Sequence, residues 1–173
     1  MAAAKEQQFL TELRKSALLV DPQSQWYKIA DSPGTRDGFH SISEKPFDAF
    51  WMTQGQLYCF EAKYHASTQA FPLSKIRWGS DTRDGQVDNL KKWARAGARA
   101  FFIVKVQNST DKFVAVLAPE AVAGWLGMNR KSVPIDQLKA DAMFVMQRVK
   151  HIREGMYWPL DRLMHWINKD CHE

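Results

Sequence analysis

The sequence predicts an α/β fold: a mixed central β-sheet flanked by helices, in a single domain over residues 1–173. Three observations predict it. The periodicities change along the chain in the order α-β-β-β-α-β-β-α. Two runs, Leu57-Tyr-Cys-Phe60 and Ala100-Phe-Phe-Ile-Val104, are almost continuously apolar, as strands buried on both faces are. The helical stretches instead carry their apolar residues on one side. With 173 residues, 45% hydrophobic and 12% aromatic, the chain can fill a core.

Each element has its own signal. Residues 3–16 read as a helix with Phe9, Leu10 and Leu13 on one face and Leu18 and Leu19 just beyond, and Asp21-Pro22 ends it. Trp26 to Ala30 is short and aromatic, a strand. Residues 31–45, with Pro33, Gly34 and Gly38, form a polar loop. A hairpin follows at 46–52 and 56–63, turned by Thr53-Gln-Gly-Gln56. Residues 64–82 read as irregular. A helix from Asp84 to Ala96 puts Val87, Leu90 and Trp93 on one face and stops at Gly97. Arg99 to Val106 is the clearest strand, and Lys112 to Leu117 returns beside it after a turn at Asn108 to Asp111. Pro119 to Leu126 reads as a short helix, Arg130 to Pro134 as a linker, and 135–150 as helical in part. Pro159 opens a last helix that buries Leu160, Leu163, Met164 and Ile167. The core is expected at about 5–118, with a C-terminal helical extension at about 119–173. Thr-Arg-Asp-Gly occurs at 35–38 and 82–85 with unlike flanks and marks no repeat.

Composition narrows the classes. No apolar run approaches a membrane span, and Lys5, Glu6, Gln7 and Gln8 interrupt any signal-peptide core. Cys59 and Cys171 are too few for a disulfide framework. The expected setting is the cytoplasm, with no membrane partner. A net charge of +5 is compatible with a nucleic-acid partner but does not establish one.

The chemistry concentrates at Glu61-Ala62-Lys63. Alternate strand side chains share a face, so Glu61 and Lys63 point the same way. The hairpin brings Asp48, in Pro46-Phe-Asp-Ala-Phe-Trp-Met52, towards them. Two carboxylates suit Mg²⁺, and a lysine beside them suits a water or a phosphate. Glu-x-Lys on a solvated strand face is commonplace, and the apolar run before Glu61 argues against that blander reading. Gln86 opens the next helix, and Glu6 on the first helix supplies a third carboxylate. His151, His165, His172 and Cys171 have no standard zinc spacing and read as surface or tail residues. Trp51 and Trp93 read as core.

The set Asp48, Glu61-x-Lys63 and Gln86 resembles the PD-(D/E)xK nuclease core, which implies a restriction-endonuclease-like fold. The ordered series Phe60-Glu-Ala-Lys63, Phe71-Pro-Leu73, Gln86, Ala100-Phe-Phe-Ile-Val104 and Arg130-Lys-Ser-Val-Pro134 with Ile135-Asp136 resembles RecU-type Holliday junction resolvases. The opening helix, Glu6-Gln-Gln-Phe-Leu-Thr-Glu-Leu-Arg14, is similar to that of archaeal Hjc-type resolvases. The resemblance implies a Mg²⁺-dependent endonuclease, with Mn²⁺ able to substitute. It further implies a homodimer that nicks a four-way DNA junction symmetrically, in a bacterium or in a phage's host. Under it Asp48, Glu61 and the Ala62 carbonyl resemble the metal ligands, assisted by Glu6. Lys63 resembles the lysine that orients water or stabilises phosphoryl charge, and Gln86 the glutamine beside the site. Lys28 falls where the family has a basic residue near the scissile phosphate.

Further candidate DNA contacts are Arg36, Lys75, Arg77, Trp78, Arg83, Lys91, Arg130 and Lys131. The proline stands two residues before Asp48, not adjacent, and 31–45 is shorter than the segment that forms the family's stalk. Met156 to Leu160 with Leu163 is an expected dimer surface. Another nuclease of the same core (flap, repair or exonuclease) and a catalytically silent DNA-binding module stay open as alternatives.

Overall fold

A computed structural model describes residues 2–29, 46–76, 85–151 and 155–169. The chain opens with α1 (Ala2–Val20) and the short strand β1 (Gln25–Lys28). The hairpin is β2 (Ala49–Thr53) and β3 (Gln56–His65). Gln54 and Gly55 both have positive φ, 49° and 76°. That is the backbone of a two-residue turn matched to strand twist, and glycine takes it at no steric cost. After β4 (Phe71–Pro72) come a 3-10 turn at Leu73–Lys75 and the helix α2 (Gln86–Arg95). β5 (Arg99–Gln107), β6 (Lys112–Leu117) and α3 (Pro119–Gly127) follow. The remainder is β7 (Ser132–Val133), α4 (Ile135–Ala140), β8 (Phe144–Met146), β9 (Val149–His151), β10 (Gly155–Tyr157) and α5 (Leu160–Lys169).

The main sheet has six strands in the order β1-β2-β3-β5-β6-β8. β3 and β5 pair in parallel and every other neighbour is antiparallel. The two most apolar runs therefore lie side by side at its centre, where both faces are covered. A parallel pair needs a crossover, and α2 lies within it. One face packs Cys59, Phe102, Val104 and Leu117 against Val87 and Leu90 of α2, Trp125 of α3 and Leu138 of α4. The other packs Trp51, Phe60, Ile103 and Val116 against Phe9 and Leu13 of α1 and Leu160 and Leu163 of α5. The result is a mixed sheet between helical layers, as the periodicities predict.

The differences from the sequence reading fall where elements are short. The stretch read as irregular holds the end of β3 and β4, and the stretch read as a linker holds β7. These two-residue strands pair with each other, Phe71 with Val133 and Pro72 with Ser132. Two residues carry no readable period, and their pairing is remote in sequence. The segment after residue 118 is not helical throughout, because β8 joins the sheet beside β6 and β9 and β10 form a ribbon. Trp93 departs from the core assignment: it is 38% exposed and sets its ring edge-on to Phe47 at the last turn of α2. Trp158, Leu160 and Leu163 are buried within this chain's own core, so most of the expected dimer surface is already used.

A buried ionic knot ties α1 to the sheet. Lys105 of β5 is 6% exposed and donates to Glu12 of α1 at 2.8 Å. The Trp158 indole N–H donates to the same Glu12 oxygen, and the Trp158 amide donates to Ser16 Oγ. The ammonium also stands over the rings of Phe9 and Trp158, at 5.5 and 5.7 Å from their centroids. Removing one partner of a buried pair leaves an uncompensated charge. Glu12→Ala should therefore lower unfolding free energy by about 3 kcal/mol in urea denaturation, and a Glu12→Gln, Lys105→Met double variant should recover much of it.

Candidate active site

β3 outruns β2. The backbone ladder between them ends where the Asp48 amide donates to the Phe60 carbonyl at 3.0 Å. The next amides on that edge still need acceptors, because buried backbone donors are costly to leave unpaired. The Ala62 N–H donates to Asp48 Oδ2 at 2.9 Å. The Tyr64 N–H donates to Glu6 Oε1 at 3.3 Å. The Tyr64 carbonyl accepts a hydrogen bond from Lys75 Nζ. Side chains from β2's entry, α1 and the 3-10 turn thus replace the missing strand, and two of the three are carboxylates.

Glu61 and Lys63 alternate with Phe60 and Ala62, which face α1, so both point to the α2 side. Glu61 is 1% exposed and Lys63 6%. Lys63 Nζ donates to Glu61 Oε1 at 2.6 Å, and Gln86 Nε2, in the first turn of α2, donates to the same oxygen. A carboxylate this deep needs such donors to stay ionised. Burial pulls the Lys75 ammonium below its ordinary value, Glu6 opposes that, and neighbouring Lys63 adds to it. Lys75, a candidate DNA contact from the sequence, thus lies beside this group. Its bond to Tyr64, 11 residues away, leaves no local signal in the sequence.

Asp48, Glu61, Ala62, Lys63, Gln86, Glu6 and Lys75 therefore converge on one stretch of β3. Among the described residues, no three or more His, Cys, Asp and Glu side chains are grouped to hold a metal ion. Asp48 caps the Ala62 amide next to Glu61, and Glu6 lies one step along on the Tyr64 amide. A pair of carboxylates with a nearby carbonyl is an oxygen-only donor set, which fits Mg²⁺ or Mn²⁺ and not a soft metal. His65, further along β3, has its Nε2 2.8 Å from the Gln69 carbonyl oxygen.

The stretch that holds this group also matches a known family. The model of the recombination protein U family, RecU, matches residues 43–153, well over half of the 173. The chain belongs to the RecU family. That match covers Asp48, Glu61, Lys63, Gln86, Arg130 and Lys131, and it leaves Glu6 and Lys28 outside. Among solved structures, the chain is similar to Hjc of Archaeoglobus fulgidus, a Holliday junction resolvase from an archaeal hyperthermophile. The two are 20% identical with a TM-score of 0.41, over 68% of this chain and 76% of that one. Comparison with curated proteins found no match.

The remaining candidates of this RecU-family chain are spread around the strand. Lys28 is exposed on β1, paired with Ala49, and donates to Gln7. Lys91 is half-buried on α2, and Arg130 and Lys131 are exposed before β7. Arg36, Arg77, Trp78 and Arg83 lie outside the described residues. No helix among the described residues is long and apolar enough to cross a membrane.

Cys59, on the same face two residues before Glu61, is fully buried, and burial pushes its thiol up to about 12. The folded state resists losing that proton, so stability is level below the ordinary thiol value of 9.0 and falls as pH rises from there towards 12. Cys59 should take no iodoacetamide at pH near 8 in the native protein and label fully in urea, as peptide mass spectrometry would read. Equal labelling in both states would show that the floor beneath Glu61 is open.

Proposed function

We propose that this chain is a structure-selective DNA endonuclease that resolves four-way junctions by hydrolysing one phosphodiester in each of two opposing strands. One observation carries the reading: a buried carboxylate, Glu61, held by Lys63 and Gln86, with Asp48 capping the Ala62 amide where β3 runs past the end of β2. Membership of the RecU family supports it.

Asp48, Glu61 and the Ala62 carbonyl would hold Mg²⁺, or Mn²⁺ in its place. When bound, such an ion supplies Lewis acidity to the phosphate and lowers the pKa of an attacking water. The chain's own residues do the rest. Lys63 uses one of its three ammonium protons on Glu61, which leaves two donors for the water or a phosphate oxygen. Gln86 fixes which way the Glu61 carboxylate turns. Glu6 holds the Tyr64 amide and keeps the strand end in place. Water adds to phosphorus, the P–O3′ bond breaks, and the products are a 5′-phosphate and a 3′-hydroxyl. Two such cuts at symmetric positions call for two sites related by a two-fold axis, and a homodimer supplies them. The substrate places the enzyme with the cell's DNA, in the cytoplasm.

The decisive assay compares a synthetic four-way junction with linear duplex and flap DNA, with Mg²⁺ and with a chelator. Junction cutting should need the ion and exceed cutting of the other substrates. Equal rates on all three would make the chain a general nuclease of the same core. Glu61→Gln should bind the junction like the parent in a gel shift and cut it about 10³-fold more slowly. Persistent cutting by that variant would overturn the assignment of Glu61.

A further inference from the structure

The clasp of β4 and β7 does something the catalytic reading leaves unexplained. It joins two short stretches far apart in the chain, and both carry cations beside the join. Phe71 and Val133 are fully buried, and Leu73 nearly so, so the clasp is anchored in the core. The Leu73 amide donates to the Lys131 carbonyl at 3.0 Å. Lys131 and Arg130, both exposed, are thereby fixed against the 3-10 turn that carries Lys75. At about 2 Å rise per residue, Leu73 and Lys75 are about 4 Å apart along that turn. Lys75 in turn reaches the Tyr64 carbonyl, next to Lys63. A line of cations therefore runs outward from the catalytic strand: Lys63, Lys75, Lys131, Arg130.

We propose that this line is a phosphate path, and that the backbone of one junction arm lies along it beside the cut. The proposal rests on the nuclease reading and adds which surface the arm follows. The occupant is set by charge: cations on backbone segments pinned to one another by the clasp suit the repeating phosphates of a nucleic-acid strand, about 3.4 Å apart along the axis. Lys75 already donates to Tyr64, and its other ammonium protons are available to a phosphate. The clasp holds the path at a fixed distance from Glu61, so an arm seated on Lys131 and Arg130 has its neighbouring phosphodiester directed to the site.

Each phosphate neutralised by a cation releases counterions and steepens the dependence of binding on salt by about 0.9 in log–log slope. The test measures binding of a four-way junction from about 50 to 200 mM salt, in chelator so that nothing is cut. The Arg130→Ala, Lys131→Ala double variant should flatten the slope by about 1.8, with an unchanged melting temperature. Adding Lys75→Gln, whose amide can still donate to Tyr64, should remove about 0.9 more. The control Lys150→Ala, Lys169→Ala removes the same charge from β9 and α5 and should leave the slope alone. An unchanged slope in the double variant, or equal flattening in the control, would overturn the path. A parent protein with no salt-dependent junction binding would overturn both the path and the nuclease reading. Intact junction cutting alongside an unchanged slope would overturn the path alone.

Discussion

The charge of Glu61 is the constraint around which the rest is arranged. It lies on a central strand between Phe60 and Ala62, both fully buried, and opposite Phe102 of β5. An ionised group there is tolerated only with donors supplied by the protein itself. Lys63 comes from the same strand by the two-residue period, and Gln86 comes from the helix that must cross between β3 and β5. The parallel pairing of the two apolar strands thus requires a crossover, and that crossover delivers the second donor. Fold and site share one cause.

The edge of β3 adds a second layer to this economy. A strand that continues past its neighbour exposes amides in need of acceptors. In this chain Asp48 and Glu6 provide them, so negative charge collects where the sheet is locally incomplete. The same carboxylates that cap backbone in the protein alone are the groups suited to oxygen-loving cations. Capping and metal binding draw on one property, a lone pair aimed at positive charge.

Much of this was legible in the residues. The hairpin, the central strands, α2 and the buried positions of α5 follow from period and turn chemistry, and Leu160, Leu163, Met164 and Ile167 are buried as the pattern requires. Asp48, Glu61, Lys63 and Gln86 were legible as a set because three lie in strong elements or at a helix start. The clasp was not legible, since Phe71–Pro72 and Ser132–Val133 are too short to show a period and their pairing is set by packing. The bond from Lys75 to the Tyr64 carbonyl was hidden for the same reason. Trp93 was misjudged because a helix face read from spacing does not reveal where the helix runs past its neighbours. The knot of Glu12, Lys105 and Trp158 left no local signal, because its members are 93 and 146 residues apart.

That last separation bears on the order in which the molecule is made. The helix that carries Glu6 is seated through Glu12 and Ser16, and its seat is closed by Trp158. During synthesis the first helix emerges early and waits while well over a hundred further residues are added, and contacts so distant form late. Until Trp158 has left the ribosome, Lys105 and Glu12 lack the indole that shields them. A nascent chain therefore holds Glu6 and the end of β3 in loose array until residue 158 has emerged and docked on the first helix.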